Sequence, residues 1–376
     1  MNDQNNQDFN NLDNLELENK ATPKSFIITF ILILLVILSG GILFYLLFLR
    51  KNESKNDCQT GEEDKCLTCD KNQCLSCNIG YKLLDGKCIP NYSFRAEYYT
   101  EKENQIITLI NKNYLNNVIE LIIDGNKVND IFAECKFNST GIHKVYFLFN
   151  LNGMTSVDNM FKDIQNMTSI HFSYLFNTEN ITSMNYMFAE LKNLTFANLS
   201  IFNGENLFMM KGMFQHCSSL KSVDFSNFNA PKLDNVEYLF QDCFDLEYVN
   251  FNNFNAPNLK CMRQMFYKCQ SLKSIDLSSL NSEDVTYLDE ICYDCWSLKY
   301  LNMKNINYKS IIHYQNKIFS NCSHLSYIDI SSFTGEDSTI ILFDENLPSK
   351  GEIILRKDFY NTIKNQIPQG WKSTFV

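Results

Sequence analysis

The sequence lacks the features that mark most enzymes and nucleic-acid-binding proteins. It has no Gly-rich phosphate loop, no nucleophile motif paired with a base and no acidic pair at useful spacing. Its five histidines, His143, His171, His216, His313 and His324, fall at scattered positions. No catalytic activity, cofactor or bound metal is therefore expected. Positive charge is also in deficit, with 33 Lys and Arg against 43 Asp and Glu and a formal charge of -10. Phosphate backbones and anionic lipid headgroups are held by basic side chains, so this balance opposes both as the main partner. Apolar residues are not scarce: 45% of the 376 residues are hydrophobic, ordinary for a chain that buries a core in two or three domains.

Residues 1–24 form an acidic, Asn-rich tail, too short for a domain and expected to be disordered. From Phe26 to Leu49, FIITFILILLVILSGGILFYLLFL carries no charge for 24 residues. At about 1.5 Å per residue that is enough helix to cross a hydrocarbon layer of about 30 Å. A signal peptide would end near Ser39-Gly40-Gly41, but the apolar run continues beyond it, so an uncleaved transmembrane helix is expected. Lys20 and Lys24 flank one end and Arg50, Lys51 and Lys55 the other, which by itself keeps the C-terminal part cytosolic. The cysteine pattern argues the opposite way.

Residues 58–88 hold six cysteines, Cys58, Cys66, Cys69, Cys74, Cys77 and Cys88, among Lys, Asp, Glu, Asn and Gly. A segment so poor in apolar side chains is held by cross-links or metal, and an even count at tight spacing favours three disulfides in an oxidising compartment. Zinc is the rival, since CLTCDKNQCLSC contains two CxxC knuckles. Only four residues separate the knuckles, however, and two cysteines would be left over. The expectation is thus a single-pass plasma-membrane protein with its C-terminal domain extracellular. Eight N-x-S/T sequons, from Asn52 to Asn321, permit a glycoprotein without diagnosing one in a chain so rich in Asn. The stretch CNIGYKLLDGKC resembles the closing loop of growth-factor-like and furin-like cysteine-rich modules, and this resemblance implies a bridge from Cys77 to Cys88. The remaining four cysteines keep three possible connectivities.

The rest of the chain repeats. MFQHCSSLKSVDFSNF from Met213, LFQDCFDLEYVNFNNF from Leu239, MFYKCQSLKSIDLSSL from Met265, ICYDCWSLKYLNMKNI from Ile291 and IFSNCSHLSYIDISSF from Ile318 start 26, 26, 26 and 27 residues apart. Copies from Met187 and Met160 fit the same template, and one from Ile131 fits with about three inserted residues, giving about eight. The LxxLxL core reads as a short strand, and the preceding stretch, such as VEYLFQDC, has the spacing of one or two helical turns. Such a unit cannot bury its own apolar side, so the copies must stack into a curved solenoid with parallel strands on its concave face. The expected fold is therefore α/β, a leucine-rich-repeat-type solenoid of 26–27-residue repeats over 131–335, flanked by caps at 95–130 and 336–376 and preceded by a small disulfide-rich module and one transmembrane helix. The recurring MFxxCxxLxxIDLSxF string resembles the BspA-like leucine-rich repeat surface proteins of bacteria and microbial eukaryotes. That resemblance implies a cell-surface binding or adhesion protein. The tail from Leu347 resembles the closure of such arrays, with a last strand, a short helix and Trp371.

Each repeat position forms a row along the array. Cys135, Cys217, Cys243, Cys269, Cys295 and Cys322 share a slot also filled by Ile164 and Leu191, so they are expected as buried thiols about 5 Å apart, with bridges between adjacent rungs left open. The Phe row, Phe132, Phe161, Phe188, Phe214, Phe240, Phe266 and Phe319, interrupted by Cys292, reads as a core spine. Ligand binding is sought beside the buried strand positions, in Phe196, Asn198, Asp224, Tyr248, Asn250, Asp276, Tyr300, Asn302, Tyr327 and Asp329, with a third row of Ser200, Ser226, Asn252, Ser278, Lys304 and Ser331. Tyrosines beside small hydrogen-bonding groups suit recognition of an extracellular protein or glycan. The plain alternative at each position is a solvated strand face. The rival functions are a structural surface coat without a specific ligand and a cytosol-facing, membrane-anchored scaffold.

Overall fold

The computed structural model of the chain describes residues 66–70, 73–78, 80–84, 87–308, 317–334, 340–343 and 346–376. The N-terminal tail, the expected membrane span at 26–49, Cys58 and His313 lie outside the described residues, as do the side chains of Cys66, Cys69 and Cys74. Among the described residues no helix is long and apolar enough to cross a membrane. The chain divides into two units at Ser76 and Cys77. In the first, β1 (Cys66–Asp70) pairs with β2 (Gln73–Cys77), whose last residue belongs to the second.

The second unit starts with a stapled hairpin of β3 (Tyr81–Leu84) and β4 (Lys87–Pro90), in which Cys77 is disulfide-bonded to Cys88. The Gly-aromatic pair before it turns the chain: Gly80 sits at φ +85, and a Cβ there would lie 2.7 Å from the Tyr146 ring. Tyr81, Tyr92 and Tyr146 pack edge to face around that glycine, and the Tyr81 and Tyr92 hydroxyls meet at 3.0 Å. An antiparallel cap follows, made of β5 (Phe94–Thr100), β6 (Gln105–Thr108), β7 (Val118–Ile123), β8 (Asn126–Lys127), β9 (Glu134–Phe137) and β10 (Gly141–Phe149). β5 alternates strictly, burying Phe94, Ala96 and Tyr98, as a strand covered on one face must.

Seven parallel rungs follow, with strands β11 (Met167–Phe172), β12 (Phe196–Asn198), β13 (Ser222–Asp224), β14 (Tyr248–Asn250), β15 (Ser274–Asp276), β16 (Tyr300–Asn302) and β17 (Tyr327–Asp329). The array is closed by β18 (Gly351–Leu355), the helix α1 (Lys357–Ile363) and β19 (Trp371–Phe375). Trp371 is buried at that end, where its indole N–H donates to Pro348 O at 2.8 Å; a Cβ on Gly351 would strike the ring at 2.6 Å.

Two expectations need correcting. The fold is a mostly β solenoid, not an α/β leucine-rich-repeat array, because the stretch before each strand is a train of turns. In the arm Met184–Leu191, Tyr186 and Glu190 take φ +54 and +64, and in the next rung Gly212 and His216 take +58 and +60. A left-handed residue at every fourth position rotates alternate peptide N–H groups out of the helical path and towards the neighbouring rung. Met184, Tyr186, Phe188 and Glu190 N–H donate to Met209, Lys211, Met213 and Gln215 O at 2.8–2.9 Å, while Met187 and Ala189 close local turns within their own rung. Each non-glycine left-handed residue costs about 1 kcal/mol, which the ladder of inter-rung bonds offsets. The other correction concerns the repeat expected from Ile131. Cys135 lies in β9, which pairs antiparallel with β6, so this segment belongs to the cap and its Phe132 is only partly buried.

Within the rungs the Phe row is a spine. Phe161, Phe188, Phe214, Phe240 and Phe266 stack with centroids 5.2–5.6 Å apart and planes within 14°. Beside it run the thiols. Cys217, Cys243, Cys269 and Cys295 are fully buried and free, and each donates its S–H to the carbonyl of the preceding rung's Phe188, Phe214, Phe240 or Phe266 at 3.0–3.1 Å; Cys322 does the same to Cys292 O. A thiol is thus more than a compact apolar filler here, since it gives a buried carbonyl a second bond: Phe214, Phe240 and Phe266 O already accept a turn N–H of their own rung, from Cys217, Cys243 and Cys269.

Phe240→Ala removes a ring stacked on both sides and is expected to cost about 3–5 kcal/mol, measured by denaturant unfolding, with an enlarged transient opening of flanking rungs in hydrogen exchange. A second expectation concerns pH. Burial raises the thiols of Cys217, Cys243, Cys269, Cys292 and Cys295 above their ordinary value. Unfolded thiols titrate near about 8.5, so above that pH the unfolded chain releases protons that the folded chain keeps. The thiols' contribution to stability is then constant below about pH 8.5 and falls as pH rises towards the folded values, by up to about 1.4 kcal/mol per pH unit for each thiol. Denaturation midpoints at pH 7.5 and 10 check this, and Cys243→Ala should reduce the difference between them.

Candidate ligand-binding face

The ten residues nominated above fall on the outward positions of the strand row, although Asp329 is itself buried. Parallel register aligns Phe196, Ser222 and Tyr248, and likewise Asn198, Asp224 and Asn250. It also aligns Ser274, Tyr300 and Tyr327, and Asp276, Asn302 and Asp329. The central residues Ala197, Val223, Ile275, Leu301 and Ile328 point inward and are buried. Tyr248 is the most open of the aromatics, at 51% exposure, with Phe196 at 37%. Tyr300 and Tyr327 stack on each other at 4.7 Å. Partial burial, then the Asp276 and Asp329 carboxylates, raise the Tyr300 phenol, and burial with Asp329 does the same at Tyr327, so both remain hydroxyl donors at neutral pH.

The Asn and Asp row has a structural duty. Oδ1 of Asn198, Asp224, Asn250, Asp276, Asn302 and Asp329 accepts the backbone N–H two residues on, that of Ser200, Ser226, Asn252, Ser278, Lys304 and Ser331, at 2.9–3.1 Å. These Asx turns end each strand and start the corner. Asn250 also donates to Asp224 at 2.9 Å, and Asn253 to Asn227 at 3.0 Å, so part of the Asn excess is spent on ladders between rungs. The second oxygen or the amide nitrogen of several row members is left for a ligand.

The face extends further than the repeats. β11 pairs antiparallel with β5, which places His171 opposite Arg95 and Ser169 opposite Glu97, and β5 pairs on its other edge with β10, which adds Tyr146 and Lys144. Ser169 is also in register with Phe196. The row Asn250, Asp224, Asn198 therefore continues into His171, Arg95 and Tyr146. The sequence held half of this signal, since Ser169 and His171 occupy the strand positions of the copy starting at Met160. Arg95 and Glu97 lie before the first repeat, and only the pairing of the cap brings them in. At the other end, β14 and β15 are neighbours that belong to separate hydrogen-bonded sheets, and Val249 is correspondingly less buried than its counterparts.

The turn arms present a face on which many charged and aromatic groups are matched internally, while Phe208, Phe244 and Trp296 beside them stay open. Glu237, itself buried, is met by Lys211 at 2.8 Å and Arg263 at 3.6 Å, Tyr267 stacks on Tyr293 at 5.1 Å, and Lys162 and Lys211 lie over the Tyr186 and Tyr238 rings. In the cap, His143 stands 2.7 Å from Asp124 and 3.0 Å from Thr100, the order of a catalytic relay. Thr100 and His143 are buried, however, and the Thr100 hydroxyl donates to Ser139 O at 2.9 Å, so the group pins the turns of the cap together.

Residues 155–273 and 224–333 match a family described as Mycoplasma protein of unknown function, DUF285. The two overlapping matches fall on the rungs, so the similarity resides in the repeat unit and not in the cap or the stapled hairpin. No curated protein matches the chain.

Asp276→Ala removes an Asx turn and is expected to lower the unfolding free energy by about 1 kcal/mol, while Asp276→Asn, which keeps the acceptor, leaves it nearly unchanged. Equal losses from both would show that the charge, not the turn, matters there.

Proposed function

We propose that this is a cell-surface recognition protein of the kind represented by BspA-like repeat proteins. It is held at the plasma membrane through the apolar segment at 26–49, with a cysteine-rich, furin-like spacer and an extracellular solenoid whose strand face binds a protein or glycan. The observation that carries the reading is the strand face itself, where Tyr248 and Phe196 stand open beside Asx groups with unused hydrogen-bonding capacity. Open aromatic and amide groups in register give contact area at low entropic cost. The disulfide between Cys77 and Cys88 suits an oxidising compartment.

The test uses the full chain displayed on host cells and probed with immobilised matrix proteins and a glycan panel. Saturable binding is expected, weakened about tenfold or more by Tyr248→Ser combined with Tyr300→Ser and unaffected by Tyr293→Ser on the turn arm. Side-by-side assembly of the purified protein with no saturable binding would instead favour a surface coat.

A further inference from the structure

Where the strand face passes from the rungs onto the cap, its chemistry changes from amides and carboxylates to an underused guanidinium. Arg95 is the central residue of a cross-strand row, with His171 on one side and Tyr146 on the other. A guanidinium has five N–H donors, yet among the described residues Arg95 makes no hydrogen bond. The closest acid, Glu97, is 3.7 Å away, too far for one. Arg95 Nε is buried without a partner, and so is Ser169 Oγ on the adjacent strand. The Arg95 side chain is 23% exposed, which leaves it reachable while stripping much of its water. Unspent donors in such a setting are costly to the free protein and favourable to a ligand that satisfies them.

The ligand group that matches a planar fork of N–H donors is a planar carboxylate. The surroundings restrict what carries it. Partial burial, then the Arg95 charge, push the His171 imidazole down from its ordinary value, so at neutral pH it offers one donor and one acceptor and brings no second positive charge. Glu97, Asp224 and the chain's formal charge of -10 repel a polyanion and favour a ligand with one acid and many hydroxyls. Next to Ser169 in register stands the exposed Phe196 ring, and next to His171 the Asx row begins with Asn198. An apolar ring face beside acceptors that take hydroxyl protons is the chemistry that holds a sugar.

We propose that Arg95 and His171, with Phe196 beside them, bind the carboxylate of an acidic sugar whose hydroxyls extend over Asn198 and Asp224. The proposal rests on the strand face being a recognition surface and adds the chemical class of its ligand.

The experiment measures binding of the full chain, in detergent micelles, to sialyllactose, a glucuronate-terminated trisaccharide, the methyl ester of each, lactose, and a glutamate-rich peptide. At least one acid is expected to bind about tenfold or more tightly than its own ester, and Arg95→Gln to abolish that difference. His171→Ala, which removes a half-buried group opposite Arg95, is expected to weaken the acid several-fold more than its ester, and keeps the test informative if Arg95→Gln does not fold. Esters that bind as well as acids, or a peptide that competes as well as the sugars, overturn the proposal. If lactose or a matrix protein binds the strand face while the acids gain nothing, the recognition function stands and the acidic-sugar site falls.

Discussion

The structure depends on the backbone hydrogen bonds that run from each turn arm to the next. Met184, Tyr186, Phe188 and Glu190 can reach Met209, Lys211, Met213 and Gln215 only because a left-handed residue recurs every four positions. That geometry sets the rise between rungs, and the rise in turn brings Phe rings to stacking distance and thiols to the carbonyls of the rung before. Core, arms and strands are therefore not independent contributions. A rung that lost its arm geometry would also lose its ring contact, its S–H bond and its strand register.

The outward face is built under the same constraint. Its Asx residues exist first to turn the corner after each three-residue strand, which explains why Asn and Asp alternate freely there: both offer the Oδ1 that the turn requires. The proposed recognition would use the atoms that the turn leaves over. Tyr and Phe vary in the adjacent row because nothing in the fold demands them, and side chains that the fold does not demand are where selection for binding can act.

Much of this was legible in the sequence. The period, the Phe spine, the buried Cys slot and the outward rows all follow from counting at 26 and 27 residues. The arms did not follow. Met213, Phe214, Cys217 and Leu220 recur at three and four residues, which is the spacing of a helix, and many of the left-handed positions are held by Tyr, Gln, Glu, His and Lys, residue types that announce no turn. Asn159, Gly212 and Asn321 in the arms, and Asn227, Asn253 and Asn305 in the corners, carried a more readable signal but do not recur at one arm position in every rung. The extension of the face to Arg95 and Glu97 was hidden for a different reason: it depends on an antiparallel pairing between β5 and β11, residues more than seventy positions apart, with a bulge between Met167 and Ser169.

Between β14 and β15 the ladder of outward strands is interrupted. Rungs touch only their neighbours, so the array behaves as a line of couplings. At this junction the arms stay bonded, Phe240 N–H to Met265 O at 2.8 Å, and so do the turns on either side of the strands, Ser271 N–H to Phe244 O at 3.1 Å and Ala256 N–H to Leu280 O at 2.9 Å, while the strands themselves belong to separate sheets. The interruption is therefore local to the outward face, with Phe196 and Tyr248 on one side of it and Ser274, Tyr300 and Tyr327 on the other. A short ligand seated on one side is indifferent to it, whereas a long one lying across both passes over strand edges that are not paired with each other.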